Sequence, residues 1–98
     1  MNIKQNKENK KLTVLINGRV DSSTAPELLD YLKEAMSGIE ELIIDLKDVE
    51  YISSAGLRVI LFAQKTMNSQ GSLTIINVNE DIMETFELTG FTDILTIK

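Results

Sequence analysis

The run Glu41-Leu42-Ile43-Ile44-Asp45-Leu46 constrains the fold of this chain more than any other stretch. Its aliphatic residues are nearly continuous and include two isoleucines, so it reads as a strand covered on both faces rather than on one. Such strands favour parallel sheets, whose connections are helical crossovers. The crossover is written directly downstream. Asp48-Val49-Glu50-Tyr51-Ile52-Ser53-Ser54-Ala55-Gly56-Leu57 ends the strand and opens a helix, whose repeating face runs through Leu57, Ile60, Leu61, Gln64 and Met67 or Asn68. Ser69-Gln70-Gly71 stops the pattern, and Gly71 suits a left-handed cap. Ser54 then falls at a helix N-terminus, where unpaired N–H groups and the positive end of the helix dipole favour an added phosphate. The plainer reading is a hydroxyl that caps the helix.

The flanking segments complete an alternating plan. Ile3 to Asn6 reads as a short edge strand, Lys7 to Lys10 as a polar turn, and Leu12-Thr13-Val14-Leu15-Ile16 as a second strand of the hairpin. Asp21-Ser22-Ser23-Thr24-Ala25-Pro26-Glu27 marks a helix start, with hydroxyls and a carboxylate ahead of proline. That helix presents Leu28, Leu29, Leu32, Ala35 and Met36 on one side and ends near Ser37-Gly38. Ser72 to Ile76 predicts another strand, Asn79 a cap for a short helix through Ile82, Met83, Phe86 and Leu88, and Ile94 to Ile97 a final edge strand. The expected architecture is α/β, one domain over residues 1–98, with a mixed four- to five-stranded sheet and about three helices. The loops after the strands ending near Ile16 and Leu46 should share one end of the sheet, bringing Asp21 to Thr24 toward Ser53 and Ser54.

Composition removes most chemistry. The 98 residues contain no cysteine and no histidine, which eliminates thiol nucleophiles, disulfides, thiolate or imidazole metal sites and the usual general base near neutral pH. No cofactor or metal is expected, and Ser54 as a hydrolase nucleophile would lack a histidine base, for which a lysine would have to substitute, and a Gly-x-Ser-x-Gly elbow. A net charge of −5, from 10 basic and 15 acidic residues, opposes binding to nucleic acid. No phosphate-binding glycine loop is present, and no apolar run approaches the about 20 residues of a membrane span, so a cytoplasmic binding protein is expected.

Gly18-Arg19-Val20-Asp21-Ser22-Ser23-Thr24-Ala25-Pro26, Asp48-x-x-Tyr51-Ile52-Ser53-Ser54-Ala55-Gly56-Leu57-Arg58-Val59 and Met83-x-x-Phe86-Glu87-Leu88-Thr89-Gly90-Phe91-x-x-Ile94 together resemble the STAS domain family, particularly bacterial anti-sigma factor antagonists. The resemblance covers essentially the whole chain. It implies a partner switch: the unphosphorylated antagonist binds an anti-sigma factor that is also a serine kinase, freeing the sigma factor, and a serine phosphatase resets the phosphorylated form. It places the phosphorylated serine on Ser54 and matches Asp21 to the acidic residue of the first loop. Ser22, Ser23, Thr24, Ser53, Ala55, Gly56 and Arg58 are the remaining expected partner-binding positions. Ser53 stands where many such antagonists carry aspartate, Ala55 where a second hydroxyl occurs, and Arg58 where several members have a small residue. Two uses of the family remain open from sequence, the phosphorylation switch and a constitutive subunit of a transporter-associated or stress-signalling complex.

Overall fold

The aliphatic run lies inside the sheet, flanked by a strand on each side. In the computed structural model, which describes residues 1–98, β1 (Asn2–Glu8) and β2 (Lys11–Val20) form the hairpin. Then follow α1 (Ala25–Ala35), β3 (Glu41–Ile52), α2 (Ser54–Asn68), β4 (Ser72–Ile76), α3 (Glu80–Leu88) and a 3₁₀ turn over Phe91–Asp93. The sheet order is β1-β2-β3-β4, with β1 antiparallel to β2 and the other pairs parallel. Asn9 turns the hairpin with a positive φ of 56°, a conformation asparagine tolerates.

Register explains which face is covered. Leu12, Leu42 and Leu73 lie side by side, as do Val14, Ile44 and Ile75, and all six are buried. These residues belong to one continuous core of 24 buried hydrophobic residues, to which α1 adds Leu28 and Leu32, α2 adds Ile60, Ala63 and Met67, and α3 adds Ile82 and Phe86. The alternate rows, Thr13-Ile43-Thr74 and Leu15-Asp45-Ile76, face the other way and are only half-buried. The expectation that β3 is covered on both faces is therefore corrected. Leu15, Ile43 and Ile76 stand on this half-buried face, and their apolar character makes the run look doubly buried in sequence.

Two bulges extend β3 to Ile52. Register shifts between Leu15 and Asn17 and between Gly18 and Arg19 each leave one extra residue on β3. The buried positions accordingly change spacing, from Leu42, Ile44 and Leu46 to Val49 and Ile52. A hydrophobic interval of three keeps facing the core because each bulge absorbs one residue.

Two more expectations change. Gly71 does not adopt a left-handed conformation; the last turn of α2 is closed by Ser69 in right-handed geometry. A side chain at Gly71 would overlap the Glu40 carbonyl, whose oxygen accepts a 2.9 Å hydrogen bond from Ser72 N–H, so close backbone approach selects glycine here. The tail forms no full fifth strand. It turns through Phe91–Asp93, stacks Phe91 on Phe86 with centroids 6.3 Å apart, and meets β4 at one parallel bridge, Ile75 to Ile97. Gly90 ends α3 with φ 79°, and Asn79 caps its start as expected.

Candidate functional site

The parallel pairing of β2 and β3 ends on Val20 opposite Ile52, so the segments leaving both strands start side by side. Ser53 N–H donates to the Val20 carbonyl at 2.8 Å, joining the two loops through the backbone. Gly56 makes that junction tight. A β-carbon there would lie 2.7 Å from Ile52 Cγ1, 2.8 Å from Val20 Cγ1 and 3.0 Å from the Val20 oxygen, so the first turn of α2 rests on the end of β2. Gly56 is buried and supports this surface from beneath.

The first loop is organised by Asp21. Its Oδ1 accepts the Ser23 hydroxyl at 2.7 Å and the N–H groups of Ser23 at 3.0 Å and Thr24 at 3.2 Å. These bonds, the Ser23 hydroxyl foremost, favour the ionised form and hold the carboxyl below its ordinary value of 3.8. Thr24 Oγ1 accepts Asp21 N–H and donates to the Arg19 carbonyl, both at 2.9 Å. Asp21, Ser23 and Thr24 thus shape the turn into α1, while Ser22 stays exposed. The remaining Asp21 oxygen, Oδ2, lies 3.8 Å from Arg19 Nε.

The second loop divides its two serines by role. Ser53, in extended backbone with φ −93° and ψ 177°, is the N-cap of α2, and its hydroxyl accepts Gly56 N–H at 3.3 Å. Ser54 is the first helical residue and exposed; it takes no part in the cap. The capping reading therefore belongs to Ser53 and not to Ser54. Arg58 stands one turn further along α2, exposed and outside both ion pairs of the protein, which are Lys10–Glu40 and Arg19–Asp21. Ser22, Ala55 and Arg58 line one groove of about 390 Å³ between α1 and α2. The structure brings the two predicted loops together at one end of the sheet.

Arg19 and Tyr51 also belong to this end, although sequence reasoning assigned them no role. The two residues pair across β2 and β3, and the Arg19 guanidinium lies 4.5 Å from the Tyr51 ring centre. Their neighbourhood depends on the bulge between Gly18 and Arg19, a register feature that one chain's pattern does not reveal. Tyr51 remains 44 % exposed, so this stacked pair forms part of the rim.

A four-stranded α/β sheet thus brings an acidic turn and a serine-capped helix start together at the ends of its parallel strands. The chain belongs to the STAS domain family, whose model matches residues 1–98. It is 36% identical over 99 residues to the anti-sigma-B factor antagonist of Bacillus subtilis, covering 100% of this chain and 89% of that protein. It is 33% identical over 90 residues to the anti-sigma-B factor antagonist of Listeria monocytogenes, with 89% and 78% covered. Among solved structures, an anti-sigma factor antagonist from Mycobacterium paratuberculosis matches with a TM-score of 0.89 at 20% identity, over 98% of this chain and 83% of that one. The anti-sigma factor antagonist SpoIIAA matches in its unphosphorylated form with a TM-score of 0.78 at 10% identity, over 99% and 87% of the two chains. The phosphorylated form of Bacillus SpoIIAA gives 0.77 at 11% identity, over 99% and 91%.

Proposed function

We propose that this protein is a non-catalytic anti-sigma factor antagonist of the cytoplasm, which binds an anti-sigma factor with serine kinase activity and is switched off by phosphorylation of Ser54. One observation carries the reading. Ser53 supplies the cap of α2, which leaves Ser54 exposed and structurally uncommitted at the positive end of that helix. The names of the relatives supply the partner class, and a serine phosphatase completes the cycle.

A phosphate on Ser54 adds about −1.5 to −2 charges and three acceptor oxygens. Within the chain, the N–H groups of the first turn and the unpaired Arg58 one turn later accommodate that charge, so the fold is retained. Across the interface, the same group must be desolvated against a partner shaped for a hydroxyl. The Asp21 carboxylate on the adjoining loop adds to the negative charge the partner meets. Ser22, Ser23, Thr24, Ser53 and Ala55 form the rest of the contacting surface, with Gly56 setting its height. The switch thus acts by local repulsion and exclusion.

The experiment is intact-mass spectrometry with site mapping after incubation with ATP and a candidate serine-kinase anti-sigma factor from the same genome, for the wild type and Ser54→Ala. One added phosphate that maps to Ser54, is absent in the variant and abolishes the complex is the expected result. A stable complex that never acquires phosphate would replace the switch with a constitutive STAS subunit.

A further inference from the structure

The groove between α1 and α2 differs in chemistry from the rest of this acidic molecule. Pro26 and Leu29 of α1 face Val59 and Phe62 of α2, and the charged residues lining it are Lys33 and Arg58, both cationic. Lys33 Nζ lies 5.9 Å from the Phe62 ring centre, and neither cation has an ion-pair partner. In a chain of net charge −5, an apolar trough edged by two free cations and no carboxylate is a local inversion of sign. Its volume of about 390 Å³ is in the range of ligand clefts, which is about 300–1,000 Å³. Ser22 and Ala55 carry the groove to the edge of the Ser54 surface.

We infer that this groove is a docking site for an acidic amphipathic helix of the partner protein. Apolar side chains at i, i+3, i+4 and i+7 fill the trough, and flanking carboxylates meet Lys33 and Arg58. The inference rests on the proposed function for its occupant, since a partner that reads Ser54 also covers the adjoining groove. Opposite charge at the groove then fixes orientation, and the Ser54 loop reads the phosphorylation state. One contact selects the partner and the other permits or forbids the complex.

The test titrates the isotope-labelled 98-residue chain with a synthetic helix carrying leucine at those four positions and glutamate at the flanks, and with its glutamine counterpart. Amide shifts should concentrate at Leu29, Lys33, Arg58 and Phe62. Affinity should fall about tenfold or more with the glutamine peptide and with Lys33→Glu/Arg58→Glu, and a lysine-flanked peptide should restore binding to that double variant. Both substituted residues are exposed, so an unchanged circular dichroism spectrum checks that the variant folds. Equal binding of the glutamate and glutamine peptides, shifts outside the groove, or no binding would each overturn the inference. So would dodecanoate occupying the groove when the peptide does not, which would assign it to an anionic amphiphile. The peptide assay involves no kinase: peptide binding without Ser54 phosphorylation keeps the groove and removes the switch, and phosphorylation with an inert groove does the reverse.

Discussion

At the residue scale, Ser53 and Ser54 are neighbours with separable duties, and stability measurements distinguish them. Ser53→Ala removes the α2 cap, and its urea midpoint should fall by the equivalent of about 0.5–1 kcal/mol, the lower part of the usual range because the bond is 3.3 Å long. Ser54→Ala should stay within about 0.5 kcal/mol of the wild type. Asp21 gives a prediction in pH. Its folded-state carboxyl titrates below 3.8, so it stabilises the fold above that value, and the contribution disappears as pH falls through the lower folded value. Carbon-detected NMR titration should place Asp21 below an ordinary aspartate, and Ser23→Ala should return it upward. That Ser53, Ser54 and Asp21 stand at helix starts was legible from the strand-to-helix pattern and from the hydroxyls and carboxylate ahead of proline. Which serine caps was not, because adjacent hydroxyls have equal propensity and only the backbone angle at Ser53 decides. The Arg19–Tyr51 stack was hidden for a related reason, since it is made by register.

At the scale of elements, the junctions between neighbours decide the energetics. Asn79 caps α3 through Ile82 N–H at 2.8 Å and donates from its amide to the Val49 carbonyl at 3.2 Å, tying that helix to β3. Asn79→Ala should destabilise by about 1–2 kcal/mol in urea, with faster amide exchange confined first to α3. Glycine substitutions should rank by what the new side chain meets. Gly71→Ala collides with the Glu40 backbone and should cost about 3 kcal/mol or more, whereas Gly38→Ala enters open space at φ +76° and should cost about 1 kcal/mol. The strands and helices that carry strong periodicity, from Leu12 to Ile16 and from Leu57 to Met67, were readable in the sequence. The extension of β3 was not, because the bulges turn a two-residue alternation into the three-residue interval from Leu46 to Val49 to Ile52. The tail resembled a strand through Ile94, Leu95 and Ile97, but the 3₁₀ turn and the Phe86–Phe91 stack take up the residues that would have aligned it.

Across the whole molecule, stability is graded from the inner strands outward. β2 and β3 are paired on both sides and contain the fully buried Val14 and Ile44, whereas the tail holds to β4 at a single bridge. Native-state hydrogen exchange should therefore be slowest for the amides around Val14 and Ile44 and fastest after Asp93, and uniform protection through Lys98 would contradict that grading. The antiparallel course of β1 has one more effect. Asn2 lies opposite Asn17, and Met1 approaches Gly18, with its Cα 3.4 Å from where a β-carbon on that glycine would sit. The chain thus enters the sheet at the same end as the Asp21 turn and the Ser54 helix start. Any polypeptide joined ahead of Met1, whether an affinity tag or a sister module, begins beside that surface and acts as a tethered crowder. Its length sets how often an incoming protein finds the face free.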